Sequence, residues 1–246
     1  MVYNFWKGHR GADEEKEGLT MTDPRLPQTT PQPSPRPSPS AARPSAPAVA
    51  VPPALPRPSP PPPAPSRAIV PDVVPAGYPL WELPPALRRF CSRLEASTES
   101  AVPLEVLAAE LEALELDLQM LAPWWIFDAV RYRRNLIRRT PTYEALLLCW
   151  LPGQRSPIHD HRGSGCAFRV VEGVVTETIY ERTTGDLATA ATMRWLPPGT
   201  ICASRDFDIH EVANSDCRAD LVTLHVYSPP LREVNLYRGA ETTKAS

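Results

Sequence analysis

Prolines are concentrated in one part of this chain, and they restrict where a hydrophobic core can form. Of its 32 prolines, 20 lie between Pro24 and Pro75, interleaved with alanine, serine and arginine. Such a segment has few aromatic or branched apolar side chains, so burial cannot offset the entropy lost on ordering. We therefore expect residues 1–75 to be a disordered, locally polyproline-like arm, and residues 76–246 to form one domain.

Charge and cysteine content restrict the class of partner. The formal net charge of −2 gives no reason to expect nucleic-acid binding. No apolar run is long enough to span a bilayer, and the charged stretch Asp13–Glu17 interrupts any signal-peptide core. The five cysteines are scattered and odd in number, which suits a reducing compartment. We expect a cytoplasmic monomer that acts on small molecules and binds neither nucleic acid nor membrane.

The hydrophobic period changes near Tyr143. From Leu80 to about Arg139 the spacing of apolar residues predicts helices, most clearly over Leu104–Leu114. Beyond Tyr143, short apolar runs separated by glycine and proline predict strands over 144–150, 167–171, 174–180, 201–204 and 220–227. Glu172-Gly173 predicts a hairpin turn, and residues 195–199 predict another turn. Close-spaced short strands favour a β-barrel or sandwich.

Two histidines, His159 and His161, are separated by one residue. On a strand, side chains at this spacing point the same way, and His210 follows on a later segment. A single strand histidine is usually a hydrogen-bonded core or surface residue, but three that converge predict a metal site with open coordination positions. Zinc suits such a site as well as iron. Asp160 points to the opposite face, so a site of two histidines and one carboxylate is not expected.

The spacing around these histidines resembles the first cupin motif. Gly153-x₅-His159-x-His161-x₄-Cys166-x₆-Gly173 carries cysteine where most cupins have a glutamate ligand, and Pro198-Gly199 with His210-x₃-Asn214 resembles the second motif. With cysteine at that position, the motif resembles that of the cysteine dioxygenase family. Further similarities to that family are the segments Tyr132-Arg-Arg134-Asn135, Leu148-Cys149-Trp150 and Leu224-His225-Val-Tyr227-Ser-Pro-Pro230.

The resemblance implies a role for each matching residue. His159, His161 and His210 would bind Fe(II), and the substrate would chelate it through its thiolate and amine. Arg134 would hold the substrate carboxylate, with Tyr132 and Tyr227 also at the substrate site. His225 would orient Tyr227, with Thr223 behind it where the mammalian pattern has serine. Cys166 would be able to form the family's thioether cross-link to Tyr227, a bond that many bacterial relatives with glycine there cannot form.

The resemblance therefore predicts an all-β, jelly-roll-like cupin barrel with N-terminal helices and a Pro-rich arm. The expected activity is a non-haem Fe(II) dioxygenase that oxidises L-cysteine with O₂ to cysteine sulfinic acid. Two alternatives remain open. One is a dioxygenase of another small thiol such as 3-mercaptopropionate, a subgroup that tends to carry glutamine where this chain has Arg134. The other is a non-catalytic cupin that binds a metal or small ligand as a sensor.

Overall fold

The computed structural model describes residues 64–69 and 77–240. Most of the expected arm, residues 1–63 and 70–76, lies outside the described residues, as do residues 241–246. Within the arm, however, strand β1 (Ser66–Ile69) pairs antiparallel with strand β11 (Glu233–Gly239). The expectation of disorder across residues 1–75 is therefore wrong at Ser66–Ile69, because an available sheet edge supplies backbone hydrogen bonds that this segment cannot provide for itself.

Two helices precede most of the strands. They are α1 (Pro85–Glu95) and α2 (Leu104–Ala113), with 3₁₀ segments at Leu80–Glu82 and Leu118–Trp124. The other strands are β2 (Arg133–Arg139), β3 (Glu144–Trp150), β4 (Ile158–His159), β5 (Gly165–Glu172), β6 (Val175–Arg182), β7 (Leu187–Leu196), β8 (Ile201–Ser204), β9 (Ile209–Ala213) and β10 (Leu221–Ser228). All five strands predicted from the apolar runs are present, within a few residues of their expected bounds.

The strands form two sheets that enclose the barrel interior. One sheet has the order β1-β11-β4-β9-β6-β7, and an additional pairing of β11 with β7 closes it on itself. The other has the order β2-β3-β10-β5-β8. Side chains from both sheets meet in one buried cluster, which includes Leu148, Phe168, Val175 and Val212. This arrangement confirms the predicted all-β barrel.

The helices cover the outer face of the five-stranded sheet. Helix α1 begins at Pro85, where a fixed backbone angle and a missing N–H cost nothing. It buries Leu87, Phe90, Cys91 and Leu94, the one-sided spacing of an amphipathic helix. These side chains pack with those of α2 and with outward-facing residues of β3 and β10. The sheet is therefore apolar on both faces, which explains why every residue of β3 and β10 is buried.

Two local predictions are wrong. Arg133–Arg139 was expected to be helical but forms β2, because backbone pairing with β3 outweighs the local helical preference of an arginine-rich segment. Glu172-Gly173 does not close a hairpin: β5 and β6 belong to different sheets and do not pair. Gly173 has a φ of +77°, and a Cβ there would lie 2.4 Å from the Asp220 carbonyl oxygen, so glycine permits a tight corner between sheets.

Within residues 64–69 and 77–240, none of the helices combines the length and the hydropathy that crossing a bilayer requires.

Candidate metal centre

Three histidines converge inside the barrel. His159 ends β4 and lies directly opposite His210 of β9, while His161 follows two residues after the strand ends. The ring centroids are 4.9 to 5.3 Å apart. One nitrogen of each ring lies within 4.8 Å of the others, a spacing at which the three can hold a metal ion. The structure thus brings together the three histidines that the sequence singled out.

Hydrogen bonds orient two of the three rings. His159 Nδ1 lies 2.9 Å from the carbonyl oxygen of Pro157, and His210 Nδ1 lies 2.8 Å from Glu177 Oε1. In both rings the Nδ1–H donates to oxygen, which leaves a lone pair on Nε2. The Nε2 atoms of His210 and His161 are 3.2 Å apart. A cation bound to both nitrogens would fit this short separation.

Burial keeps two of these rings, His159 and His161, neutral. It lowers the pKa of His159 to about 3, and it lowers the pKa of His161 well below its ordinary value. His161 Nδ1 is buried and finds no hydrogen-bond partner among the described residues. Converging imidazoles suit divalent iron or zinc, whose common ligand in proteins is the unprotonated ring nitrogen. The residues present therefore fit a metal ion at this position.

A buried carboxylate, Glu177 of β6, supports His210. Glu177 Oε2 accepts hydrogen bonds from Arg194 Nε at 2.8 Å and from Cys202 Sγ at 3.3 Å. Burial raises the pKa of Glu177, but the hydrogen bond from His210 and the charge of Arg194 outweigh burial and bring the pKa to about 2. The group is therefore an anion that holds the metal-facing ring. Glu177 was not predicted from the sequence as a site residue, although it follows Val175 by two residues in β6 and so lies on the same inward face.

Asp160 fixes the segment between the first two histidines. Its carboxylate accepts hydrogen bonds from Asn235 Nδ2 at 2.9 Å and from the Tyr237 hydroxyl at 2.8 Å, both on β11. It also accepts from the backbone N–H of Asn235. Asp160 is absent from the group of metal-binding side chains, as its predicted orientation requires. Its contacts fasten the short loop after β4 to the neighbouring strand.

Tyr227, the second-last residue of β10, lies beside the histidine cluster. Its ring is 5.5 Å from the ring of His161. Its hydroxyl is 3.3 Å from His225 Nδ1, and His225 Nε2 is 2.9 Å from Thr223 Oγ1. Thr223 Oγ1 accepts a hydrogen bond from Trp150 Nε1 at 3.0 Å. A continuous polar chain therefore runs through the buried face of β10 and ends at the phenol.

Cys166 of β5 is paired in register with Tyr227. Its side chain is buried, and its Sγ lies 3.8 Å from His225 Nδ1. Burial raises the pKa of the Cys166 thiol, and burial likewise raises the pKa of the Tyr227 hydroxyl well above its ordinary value. Both groups are therefore protonated at neutral pH. Cys166 lies outside the cluster of three histidines, so it is not placed as a fourth ligand.

Arg134 points into the barrel although its sequence neighbours include several surface arginines. Its guanidinium carbon is 5.4 Å from the centre of the Tyr227 ring, and its side chain is 12% exposed. Its Nη2 is 3.3 Å from Glu144 Oε1. The buried Nε has no hydrogen-bond partner among the described residues. Tyr132, two residues earlier, stacks on Trp150 at 4.1 Å between ring centres.

Known proteins are similar to part of this sequence. The profile of the family described as "Cysteine dioxygenase type I" matches residues 92–240. Cysteine dioxygenase type 1 of Homo sapiens is 30% identical over 148 residues, covering 58% of this chain and 73% of the human protein. The Rattus norvegicus protein of that name gives the same identity and coverage. A solved structure from Klebsiella pneumoniae, with a double-stranded β-helix domain, has a TM-score of 0.41 and 15% identity, and covers 48% of this chain and 88% of its own.

Proposed function

Since this chain belongs to the cysteine dioxygenase type I family, we propose that it is a thiol dioxygenase that oxidises L-cysteine with O₂ to cysteine sulfinic acid. The observation that carries this proposal is the placement of Arg134 and Tyr227 beside three converging histidines. The histidines can hold a metal, Arg134 can hold an anion, and Tyr227 can hold a proton, all within one buried site. Both oxygen atoms of O₂ end on the substrate sulfur, so the overall reaction consumes no external reductant.

His159, His161 and His210 would hold the metal, which in this family is iron. Bound Fe(II) supplies a redox-active centre that takes up thiolates and transfers electrons to O₂, which zinc cannot do. The chain contributes three neutral ligands and no carboxylate ligand. An anionic thiolate is therefore favoured at this site more than it would be at a site with a negatively charged ligand. Glu177 holds His210 in the orientation required.

Arg134 would bind the carboxylate of the substrate. Its guanidinium lies against Tyr227 and inside the barrel, and its Nε–H is buried without a partner among the described residues. A buried donor without a partner is costly, and a carboxylate satisfies it with a charge-assisted hydrogen bond. Tyr132 stacks on Trp150 and forms part of the adjacent wall. Together these residues would fix the substrate by its carboxylate, so that its thiol faces the histidines.

Tyr227 would hold a proton at its hydroxyl, next to the reacting groups. Trp150 donates to Thr223, so the Thr223 hydroxyl is available to donate to His225 Nε2. His225 Nδ1–H then donates to the phenolic oxygen. In this arrangement the phenol O–H is directed into the site, where it can donate to the substrate. Thr223 keeps the hydroxyl that this chain of hydrogen bonds needs, although the mammalian pattern has serine.

Oxygen uptake by purified protein tests the proposal. The protein would be loaded with iron or, as a control, with zinc, and offered L-cysteine, 3-mercaptopropionate or cysteamine. We expect iron-dependent uptake that is fastest with cysteine. Uptake with 3-mercaptopropionate alone would favour the alternative thiol dioxygenase. Metal binding without uptake for any thiol would favour the non-catalytic sensor and contradict the proposal.

Replacement of Arg134 tests the substrate assignment. Loss of a charge-assisted carboxylate contact costs about 1.5–3 kcal/mol, or roughly ten- to a hundredfold in kcat/KM. Arg134→Gln should therefore lower kcat/KM for cysteine by about this factor, and lower it less for 3-mercaptopropionate. An unchanged ratio of the two values would mean that Arg134 does not bind the substrate.

A further inference from the structure

Glu144 is a buried carboxylate next to the proposed substrate site. It is the first residue of β3, and its side chain is fully buried. Its backbone is paired with Arg139 of β2 on one side and with Tyr227 of β10 on the other. Glu144 therefore lies in the same row across the sheet as the tyrosine of the site.

Two arginines share this carboxylate. Glu144 Oε2 accepts from Arg139 Nε at 2.8 Å and lies 2.7 Å from Arg139 Nη2. Glu144 Oε1 accepts from Arg134 Nη2 at 3.3 Å and from the backbone N–H of Leu231, also at 3.3 Å. The contacts with Arg139 are shorter and involve two of its nitrogens. Much of the carboxylate charge is thus compensated by Arg139, and the charge of Arg134 is only partly compensated by Glu144.

We propose that Glu144 and Arg139 are positioning residues that set how strongly Arg134 binds the carboxylate of the substrate. The inference rests on the proposed role of Arg134. Glu144 and the substrate carboxylate compete for the same guanidinium, and Arg139 weakens that competition by holding Glu144 on its other oxygen. Buried charges interact more strongly than charges in water. A change of charge at Glu144 or Arg139 therefore alters how strongly Arg134 attracts the substrate carboxylate.

The charges of these three side chains predict an order of affinities. Glu144→Gln removes the competing anion, so KM for cysteine should fall by roughly three- to tenfold. Arg139→Gln removes the second cationic partner of Glu144, so Glu144 interacts more strongly with Arg134. KM should therefore rise by roughly the same factor. The double variant removes one charge of each sign and should return KM to about the wild-type value. We expect kcat to change less than KM, because Glu144 hydrogen-bonds to Arg134 and acts on Tyr227 only through its charge.

Two controls separate this effect from a structural one. Arg138→Gln removes the same charge from the same strand, but Arg138 donates to Glu95, so KM should stay near the wild-type value. Cysteamine has the thiol and the amine without the carboxylate. Its KM, or its inhibition constant where it is not turned over, should be the same in all variants. KM for 3-mercaptopropionate should shift in the same direction as KM for cysteine, but by a smaller factor.

The experiment measures KM and kcat of the iron-loaded full chain, with folding checked by circular dichroism. A KM that rises in all three variants, or a shift that is equal for cysteamine, would overturn the inference. If Glu144→Gln fails to fold, the comparison of Arg139→Gln with Arg138→Gln still tests it, since only Arg139→Gln should raise KM for cysteine. Absence of wild-type turnover with every thiol would instead reject the proposed function on which the inference rests.

Discussion

Cys166 and Tyr227 are directly opposite one another on the neighbouring antiparallel strands β5 and β10. We predict that a thioether forms between the Cys166 sulfur and the Tyr227 ring during turnover, with loss of one hydrogen from each residue. The bond should require iron, O₂ and a thiol. Intact-mass measurement and peptide mapping before and after turnover check this prediction. Cys166→Ala should lack the modified species and keep reduced turnover, since Cys166 is not a proposed metal ligand. Unmodified Cys166 after many turnovers would contradict the prediction.

The barrel offers a matched pair of histidines to test metal binding. His210 belongs to the converging group, whereas His225 is buried nearby but bonds to Thr223. His210→Ala should lose most of its iron and its activity while remaining folded. His225→Ala should retain iron but turn over more slowly, because Tyr227 loses its hydrogen-bond partner. Elemental analysis after purification with iron distinguishes the two. Full iron content in His210→Ala would show that the metal assignment is wrong.

Glu177 should tighten metal binding without touching the metal. In Glu177→Gln the partner of His210 loses its charge, and Arg194 loses its counterion. Replacement of a residue that supports a ligand histidine typically costs about 10- to 100-fold in metal affinity. Competition with a chelator measures this affinity independently of turnover. Glu181→Gln on the exposed part of the same strand is the control and should bind iron as the wild type does. Equal affinities in the two variants would exclude a role for Glu177.

The strand Ser66–Ile69 should contribute to the stability of the barrel through its pairing with β11. A chain that starts at Gly77 lacks β1 and leaves the edge of β11 unpaired. Loss of a few net-favourable backbone hydrogen bonds costs about 2 kcal/mol, which is roughly 4–8 °C in Tm for a domain of this size. A chain that starts at Ala64 should keep the Tm of the full-length protein. Differential scanning calorimetry of the two truncated chains decides this. Equal Tm values would mean that β1 contributes nothing to stability.

The strongest strands were predictable because their sequences are almost entirely apolar. β3 and β10 are covered by the barrel core on one face and by helices on the other, so burial alone identifies them. Arg133–Arg139 has no such signal: its strand state comes from pairing with β3, which local sequence does not reveal. The turn at Gly173 was likewise visible, but the strand with which β6 pairs depends on the closure of the whole barrel.

Some residues of the candidate site were likewise predictable from the sequence, and others were not. The three histidines were recognisable by their spacing and by resemblance to a family, because metal ligands need particular residue types at particular intervals. Glu177 and Asp160 were not recognised as supporting residues, since each acts through a partner more than thirty residues away. Arg134 has basic neighbours, which make it look like a surface residue. Only its position on the inward face of β2, against Tyr227, distinguishes it from them.

The central claim is that this chain transfers both atoms of O₂ to the sulfur of cysteine. The most direct measurement is mass spectrometry of the product after iron-loaded protein reacts with L-cysteine under isotopically labelled dioxygen. We expect cysteine sulfinic acid with both new oxygen atoms labelled, and no such product from the His210→Ala protein. Recovery of cystine alone, or of sulfinic acid whose oxygen comes from water, would contradict the claim.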